Sequence, residues 1–235
     1  MTRTATSLPA SSASDKPCIR VAIVDDHAMM REGLRLFIDQ TGYMRCIWLA
    51  GDAAEAVRMV GENAPDVLIV DLTLPDRSGL ELMKDLRQLC PQMPMLAVSM
   101  HDEKLYAQRA LKAGARGYVM KSSPHKVLAG AIRRVLAGGI AVSDEMSDDI
   151  LKTFVTGAPA ATSTKDGISE LSDREFEVFR LIGAGRNTGT IAEALRISAK
   201  TVDVHKLNIR TKLGLKDGND LTYFAIRWVE GQKNR

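Results

Sequence analysis

Between residues 18 and 137, five short apolar runs alternate with five stretches whose apolar residues recur at helical spacing. The runs are Arg20–Val24, Cys46–Ala50, Val67–Val70, Met95–Ser99 and Gly117–Val119. Between and after them lie MMREGLRLFIDQ, DAAEAVRMVGEN, SGLELMKDLRQL, DEKLYAQRALKAG and PHKVLAGAIRRVLAG. Runs this short are strands rather than helices, and their near-continuous apolar character suits burial on both faces. Strands joined through helices lie parallel, because such a crossover returns the chain to the same edge of the sheet. The expected fold of this region is therefore α/β, a doubly wound five-stranded parallel sheet. In such sheets chemistry gathers beyond the carboxyl ends of the strands, near the point where the strand order reverses.

That edge collects charge. Asp25 and Asp26 follow the first run, Asp71 follows the third, Ser99 ends the fourth and Lys121 follows the fifth. Taken singly, a strand-end Asp is a cap or turn residue and a Lys is a solvated charge. Taken together, three carboxylates in one pocket repel each other, which disfavours ionising all of them. Mg2+ removes that cost: it takes a few carboxylate oxygens, keeps some waters and accepts phosphate oxygens as further ligands. One carboxylate can then attack a phosphorus atom and become an acyl phosphate, while the metal and a lysine neutralise the phosphoryl oxygens and a hydroxyl adds a hydrogen bond. Asp71, alone at the end of the central run, is the expected nucleophile. His27 and His101, beside these positions, are read as bystanders.

Residues 138–168 carry two basic and five acidic side chains and include GAPAATSTKDG, which reads as a linker with a short helix over Met146–Val155. Residues 169–235 carry 12 basic and 9 acidic side chains, a net +3 that permits a nucleic-acid partner without requiring one. Everything there reads as helix: Asp173–Ala184, Thr188–Leu195, Ala199–Leu213 and Asp217–Val229, with Ser172 and Glu175 as a capping box and Ser198 as a cap. No run of 18 uncharged apolar residues is present, so no membrane span is expected. Residues 1–17 lack the apolar core of a signal peptide and are expected to be a disordered tail. Cys18, Cys46 and Cys90 are odd in number and lack metal-type spacing, as expected of reduced, core-filling thiols in a cytoplasmic protein.

Placed at about 100° per residue, Ala199–Leu213 brings Val202, Ile209 and Leu213 onto one core-facing stripe. Lys200, Asp203, Val204, Leu207, Arg210 and Thr211 lie near the opposite face. Bases beside methyl-bearing side chains suit the major groove, where bases meet phosphate and guanine and apolar groups meet the thymine methyl. With Thr188–Leu195 and a turn at Arg196–Ser198, this makes a helix-turn-helix, and Ala192 is small enough for a close helix crossing.

The motifs IVDDH, DLTLPDRSGLE, AVSMHDE and GARGYVMKSS, over about residues 18–137, resemble those of a response-regulator receiver domain. The resemblance implies the flavodoxin-like fold, Asp71 as phosphoacceptor, and Mg2+ held by Asp25, Asp26, Asp71 and the backbone carbonyl of Thr73. It also implies Lys121 as the lysine of the site, Ser99 as the hydroxyl switch and Tyr118 as the aromatic switch, with Pro75 and Gly79 in the loop after the nucleophile. LSDREFEVFRLIGAGRNTGTIAEALRISAKTVDVHKLNIRTKLGL, over about residues 169–235, is similar to the LuxR-type DNA-binding domain, whose KTV-x-VH-xx-NI-xx-KL run falls on Lys200–Leu213. That similarity implies DNA contacts by Lys200, Thr201, Asp203, Val204, Leu207, Asn208, Arg210 and Thr211. Asp203 departs from the lysine common there; an acid can accept from cytosine N4, which implies a shifted operator sequence. Ile226 and Val229 in the last helix are candidate dimer contacts, with packing inside the domain as the equal alternative.

Together the two resemblances imply a NarL/FixJ-type response regulator. Its partners would be a sensor histidine kinase, a phosphotransfer protein or a small phosphodonor, and a double-stranded DNA operator. It would form a homodimer when phosphorylated or DNA-bound, and would be no enzyme beyond assisting its own phosphorylation and dephosphorylation. Two alternatives are open at this point: an Mg2+-dependent phosphohydrolase, whose D-x-D-x-[TV] signature would need an acid where Thr73 stands, and a regulator working through constitutive dimers without phosphorylation.

Overall fold

The computed structural model of the protein describes residues 18–156 and 167–233. The expected tail (1–17) and the GAPAATSTKD part of the linker lie outside the described residues. Five strands, β1 (Ile19–Val24), β2 (Met44–Ala50), β3 (Val67–Val70), β4 (Met95–Ser99) and β5 (Gly117–Met120), form one sheet. Its order is β2-β1-β3-β4-β5 with every neighbouring pair parallel. The crossover helices are α1 (Ala28–Gln40), α2 (Ala53–Glu62), α3 (Gly79–Leu89), α4 (Glu103–Ala113) and α5 (His125–Leu136). Caps fix where several of them begin: Asp52 accepts from Glu55 N–H, Ser78 from Leu80 N–H and Asp102 from Lys104 N–H.

The period-2 geometry of the strands sorts their side chains into two cores. Val21, Ile23, Val67, Ile69, Leu96 and Val98 face α1 and α5, meeting Leu34, Ile38, Leu128 and Ile132. Ala22, Val24, Leu68, Val70, Met95 and Ala97 face α2, α3 and α4, meeting Ala56, Leu82, Met83, Leu86 and Ala107. The thiol expectation holds in part: Cys46 and Cys90 are half-buried against these cores, but Cys18 is exposed, because it precedes the first strand residue.

After α5 the chain stays on the sheet edge. Ala141 bridges Gly117 in parallel, exchanging Tyr118 N–H to Ala141 C=O (2.7 Å) and Ala141 N–H to Arg116 C=O (2.9 Å). A helix longer than the sequence suggests follows, α6 (Asp144–Thr156), with Met146 buried. A short 3-10 turn (Ile168–Glu170) leads into α7 (Asp173–Gly183), α8 (Thr188–Leu195), α9 (Ala199–Leu213) and α10 (Gly218–Lys233). The capping box at Ser172 and Glu175 is complete, and Ser198 caps α9 through Thr201 N–H. Phe176, Phe179, Ile191, Val202, Ile209, Leu221 and Trp228 form the helical core. That core is continuous with the α2–α4 side of the sheet, because Tyr106 on α4 meets Phe176 on α7 edge-on at 5.4 Å. No helix among the described residues is long and apolar enough to cross a membrane.

Candidate functional site

The strand order reverses between β1 and β3, and Val24 and Val70 are partners in their ladder. The next residue of each strand, Asp25 and Asp71, therefore sits on the same edge at the switch point. Asp71 N–H donates to Val24 C=O (2.8 Å), which keeps the two ends in register. Both carboxylates are almost fully buried, at 2% and 3% exposure. Gly79 starts α3 directly against this strand end: a Cβ there would lie 2.0 Å from the Asp71 carbonyl oxygen. The expected turn residue is thus a backbone contact surface for the carbonyl of Asp71.

Lys121, past the end of β5, reaches across to this pair. Its ammonium lies 2.5 Å from Asp25 Oδ2 and 2.8 Å from Asp71 Oδ2. Asp71 Oδ1 accepts from Thr73 N–H (3.2 Å), and Asp25 Oδ1 accepts from His27 N–H (2.8 Å). Burial pushes the Asp71 carboxyl from its ordinary 3.8 up to about 6; Lys121 and the Thr73 N–H pull it down, while Asp25 adds to the rise. Burial works against the Lys121 ammonium, but Asp71 and Asp25 outweigh it and hold its pKa above the ordinary lysine value. One cation serves two buried acids, and Asp71 stays above its ordinary value.

Oxygen atoms of Asp25, Asp26 and Asp71 and a His27 ring nitrogen lie within 4.8 Å of one another. Asp26 Oδ1 is buried and receives no well-aligned hydrogen bond, although His27 Nδ1 stands 2.6 Å away. A hard, carboxylate-rich donor set with an unsatisfied buried oxygen fits a small dication such as Mg2+. The turn after β1 folds the exposed His27 ring back towards the acids.

Ser99 is the last residue of β4 and is buried. Its Oγ accepts from His101 N–H (3.2 Å), and the buried Tyr118 hydroxyl donates to His101 C=O (2.7 Å). The expected hydroxyl and aromatic switch positions therefore converge on one residue, His101, through the two peptides that flank it. His101 is half-buried: its Nε2 lies 3.2 Å from Thr73 Oγ1, and its ring stacks on Tyr106 at 4.6 Å. Burial, with Arg180 and Lys121 nearby, lowers its pKa to about 4, so it is neutral at pH 7.

In the helical domain Val202 and Ile209 are fully buried and Leu213 packs half-buried, as the helical stripe requires. Lys200, Asp203, Val204, Leu207, Asn208 and Thr211 are exposed on α9, with Val204 at 49% and Leu207 at 57%. Thr201 is half-buried, its hydroxyl 2.7 Å from the Ser198 cap. Arg210 is also half-buried and donates to Lys216 C=O, turning away from the open face. Val229 packs against the helical core beside Gly183, while Ile226 is half-buried outside that cluster.

Sequence reasoning did not find the contacts between the two domains. Asp173, at the start of α7, meets Lys84 (2.8 Å) and Arg109 (3.2 Å) of the sheet domain. Arg109 also donates to the carbonyls of Leu171 and Ile168 and lies 4.1 Å over the Phe176 ring. Arg180 approaches His101 Nδ1 at 3.4 Å, and Arg196 pairs with Asp26 Oδ2 at 3.0 Å. No local pattern signals such pairs, since each joins residues far apart in the chain.

The family described as the response regulator receiver domain matches residues 21–133, and the luxR family of bacterial regulatory proteins matches residues 169–225. The chain is 36% identical over 211 residues to the oxygen regulatory protein NreC of Staphylococcus aureus, covering 89% of this chain and 97% of NreC. A crystal structure of a LuxR-family two-component response regulator from Aurantimonas sp. SI85-9A1 is 38% identical, with a TM-score of 0.55 over 59% of this chain and 99% of that one. RcsB of Salmonella enterica serovar Typhimurium, solved bound to promoter rprA in the presence of phosphomimetic BeF3-, shares the fold at 24% identity, with a TM-score of 0.57 over 88% of this chain and 98% of that one.

Proposed function

The chain belongs to the two-component response regulators that join a receiver domain to a LuxR-type DNA-binding domain, and on that premise we propose that Asp71 is its phosphoacceptor. It is a DNA-binding regulator of transcription; the assignments that follow refine that role. The observation that carries them is the shared Lys121 ammonium, 2.5 Å from Asp25 and 2.8 Å from Asp71 on the switch-point edge. We take residues 18–137 as the receiver, 138–168 as the linker and 169–235 as the DNA-binding domain.

An Asp71 oxygen attacks the phosphorus of a phosphohistidine on a sensor kinase or phosphotransfer protein, or of a small acyl phosphate. The new P–O bond forms as the P–N or acyl P–O bond of the donor breaks. Asp25, Asp26, Asp71 and the Thr73 carbonyl would hold Mg2+, which when bound supplies charge neutralisation for the phosphoryl oxygens. Lys121 exchanges its contact with Asp71 for one to the phosphoryl group, and the Ser99 hydroxyl leaves His101 N–H to donate to a phosphoryl oxygen. Releasing the Ser99–His101 hydrogen bond frees the backbone of His101, whose carbonyl accepts from Tyr118, and this transmits the change towards α4 and the docked helical domain.

Docking leaves the groove-facing residues Lys200, Asp203, Val204, Leu207, Asn208 and Thr211 exposed, so it does not mask them. Control therefore acts on the placement of two such helices: a dimer must set them about one turn of DNA apart, and a domain pinned to its own receiver cannot adjust to that spacing. Thr201 and Arg210 would join the contacts by turning outward, and Ile226 would contribute to the dimer more than Val229. A cytoplasmic location accompanies this role.

Acetyl phosphate with Mg2+ should label the wild-type chain and shift it to a dimer with higher operator affinity at fixed salt, while Asp71→Asn shows neither change. Phosphate-dependent DNA binding by Asp71→Asn would refute the assignment.

A further inference from the structure

We propose that Arg196 competes with the divalent cation for Asp26, so that metal binding in the receiver and docking of the DNA-binding domain oppose each other. This rests on the assignment of Asp25, Asp26 and Asp71 to the metal. Arg196 is the turn of the helix-turn-helix, where its N–H closes α8 on the carbonyls of Ala192 and Glu193. Its φ of 51° makes it the only non-glycine residue with positive φ among those described. Asn and Gly favour this backbone conformation, which arginine tolerates less well. From this turn the guanidinium crosses to the receiver, with Nη2 3.0 Å from Asp26 Oδ2.

Asp26 cannot serve both cations fully. A metal ion of the Mg2+ type binds carboxylate oxygens at about 2.0–2.1 Å and keeps a rigid octahedron of waters around itself. A guanidinium on Oδ2 leaves only Oδ1 to the ion, crowds those waters and sets a positive charge beside the dication. A second arginine of the docked domain approaches the residue two past the end of β4. Arg180 is 3.4 Å from the His101 ring, whose Nε2 contacts Thr73, the residue whose carbonyl is assigned to the metal. The docked domain thus lines the rim of an acidic pocket with cations of its own. Coupling of this kind is reciprocal: docking weakens metal binding by the same factor by which metal weakens docking. Metal loading alone, before any phosphoryl group arrives, begins to release the DNA-binding domain.

The test uses the full-length chain. Arg196→Asn removes the charge while suiting the left-handed turn, and Arg196→Lys keeps the charge. Titration calorimetry with MgCl2 should show Arg196→Asn binding the ion about two- to fivefold more tightly than wild type, the range of a half-exposed ion pair, with Arg196→Lys close to wild type. Small-angle scattering should show Mg2+ enlarging the wild-type radius of gyration, and Arg196→Asn larger than wild type without the ion. Equal Mg2+ affinity in wild type and Arg196→Asn overturns the competition and leaves the metal assignment standing. No Mg2+ uptake by wild type, Arg196→Asn or an Asp26→Asn control overturns the metal assignment and the competition with it.

Discussion

Replacing Asp71 with Asn should stabilise the metal-free protein, and the gain should depend on pH in a defined way. The native carboxyl titrates near 6 against an ordinary 3.8. A carboxyl whose pKa is raised on folding contributes no penalty below about pH 3, where it is protonated in both states. Between about pH 3 and 6 the native state holds a proton that the unfolded chain has released, so stability falls as pH rises. Above about pH 6.5 the penalty is complete. A shift of about two units corresponds to about 3 kcal/mol, and it already includes the attraction of Lys121. Asn has one acceptor oxygen where Asp71 has two, so it keeps the contact with Lys121 or with Thr73 N–H but not both, at a cost of about 1 kcal/mol. The net gain at pH 7.5 is then about 2 kcal/mol, a rise in receiver melting temperature of roughly 4–8 °C. At pH 4 the gain vanishes or reverses. Scanning calorimetry of both chains in chelator at pH 4, 5.5 and 7.5 measures this directly. Adding Mg2+ at pH 7.5 should raise the wild type towards Asp71→Asn, since the ion neutralises the charge that the substitution removes. A gain that is absent at pH 7.5, or equal at pH 4 and 7.5, would show that burial of an ionised Asp71 is not what limits stability here.

Two further outcomes follow from the geometry. Gly79→Ala places a methyl 2.0 Å from the Asp71 carbonyl oxygen and 2.8 Å from Leu72 Cα, both backbone atoms that cannot swing aside, so urea denaturation should show a loss of about 2–3 kcal/mol. Asp203→Lys, on the exposed face of α9, should strengthen binding to mixed-sequence DNA and steepen the slope of log affinity against log salt by about one; an unchanged slope would place residue 203 away from the phosphates.

The order of strands and helices was legible in the sequence because each strand is short, apolar and followed by an amphipathic helix. Such period changes are local and survive in any register. Asp25, Asp71, Ser99 and Lys121 were legible for the same reason, since a parallel sheet carries every strand end to one edge. The recognition helix was legible through its stripe of Val202, Ile209 and Leu213. The contacts of His27 with Asp26 and of His101 with Thr73 were not legible, because a turn's direction decides whether a ring folds back, and neither composition nor spacing encodes that. Helical angle places Arg210 near the groove-facing side but does not encode the hydrogen bond that its guanidinium donates to Lys216 C=O.

What the sequence determined by itself is what repeats locally: the alternation of strand and helix, the caps, the apolar stripes and the chemistry at the strand ends. Only the tertiary structure decided how the two domains meet. Asp173 between Lys84 and Arg109, Arg180 on His101 and Arg196 on Asp26 each join residues dozens of positions apart. A long charged side chain has the same local pattern whether it ends in water or on a distant carboxylate. The choice is made by desolvation and shape complementarity once both cores exist, and in this protein it sets the output domain against the rim of the acidic pocket.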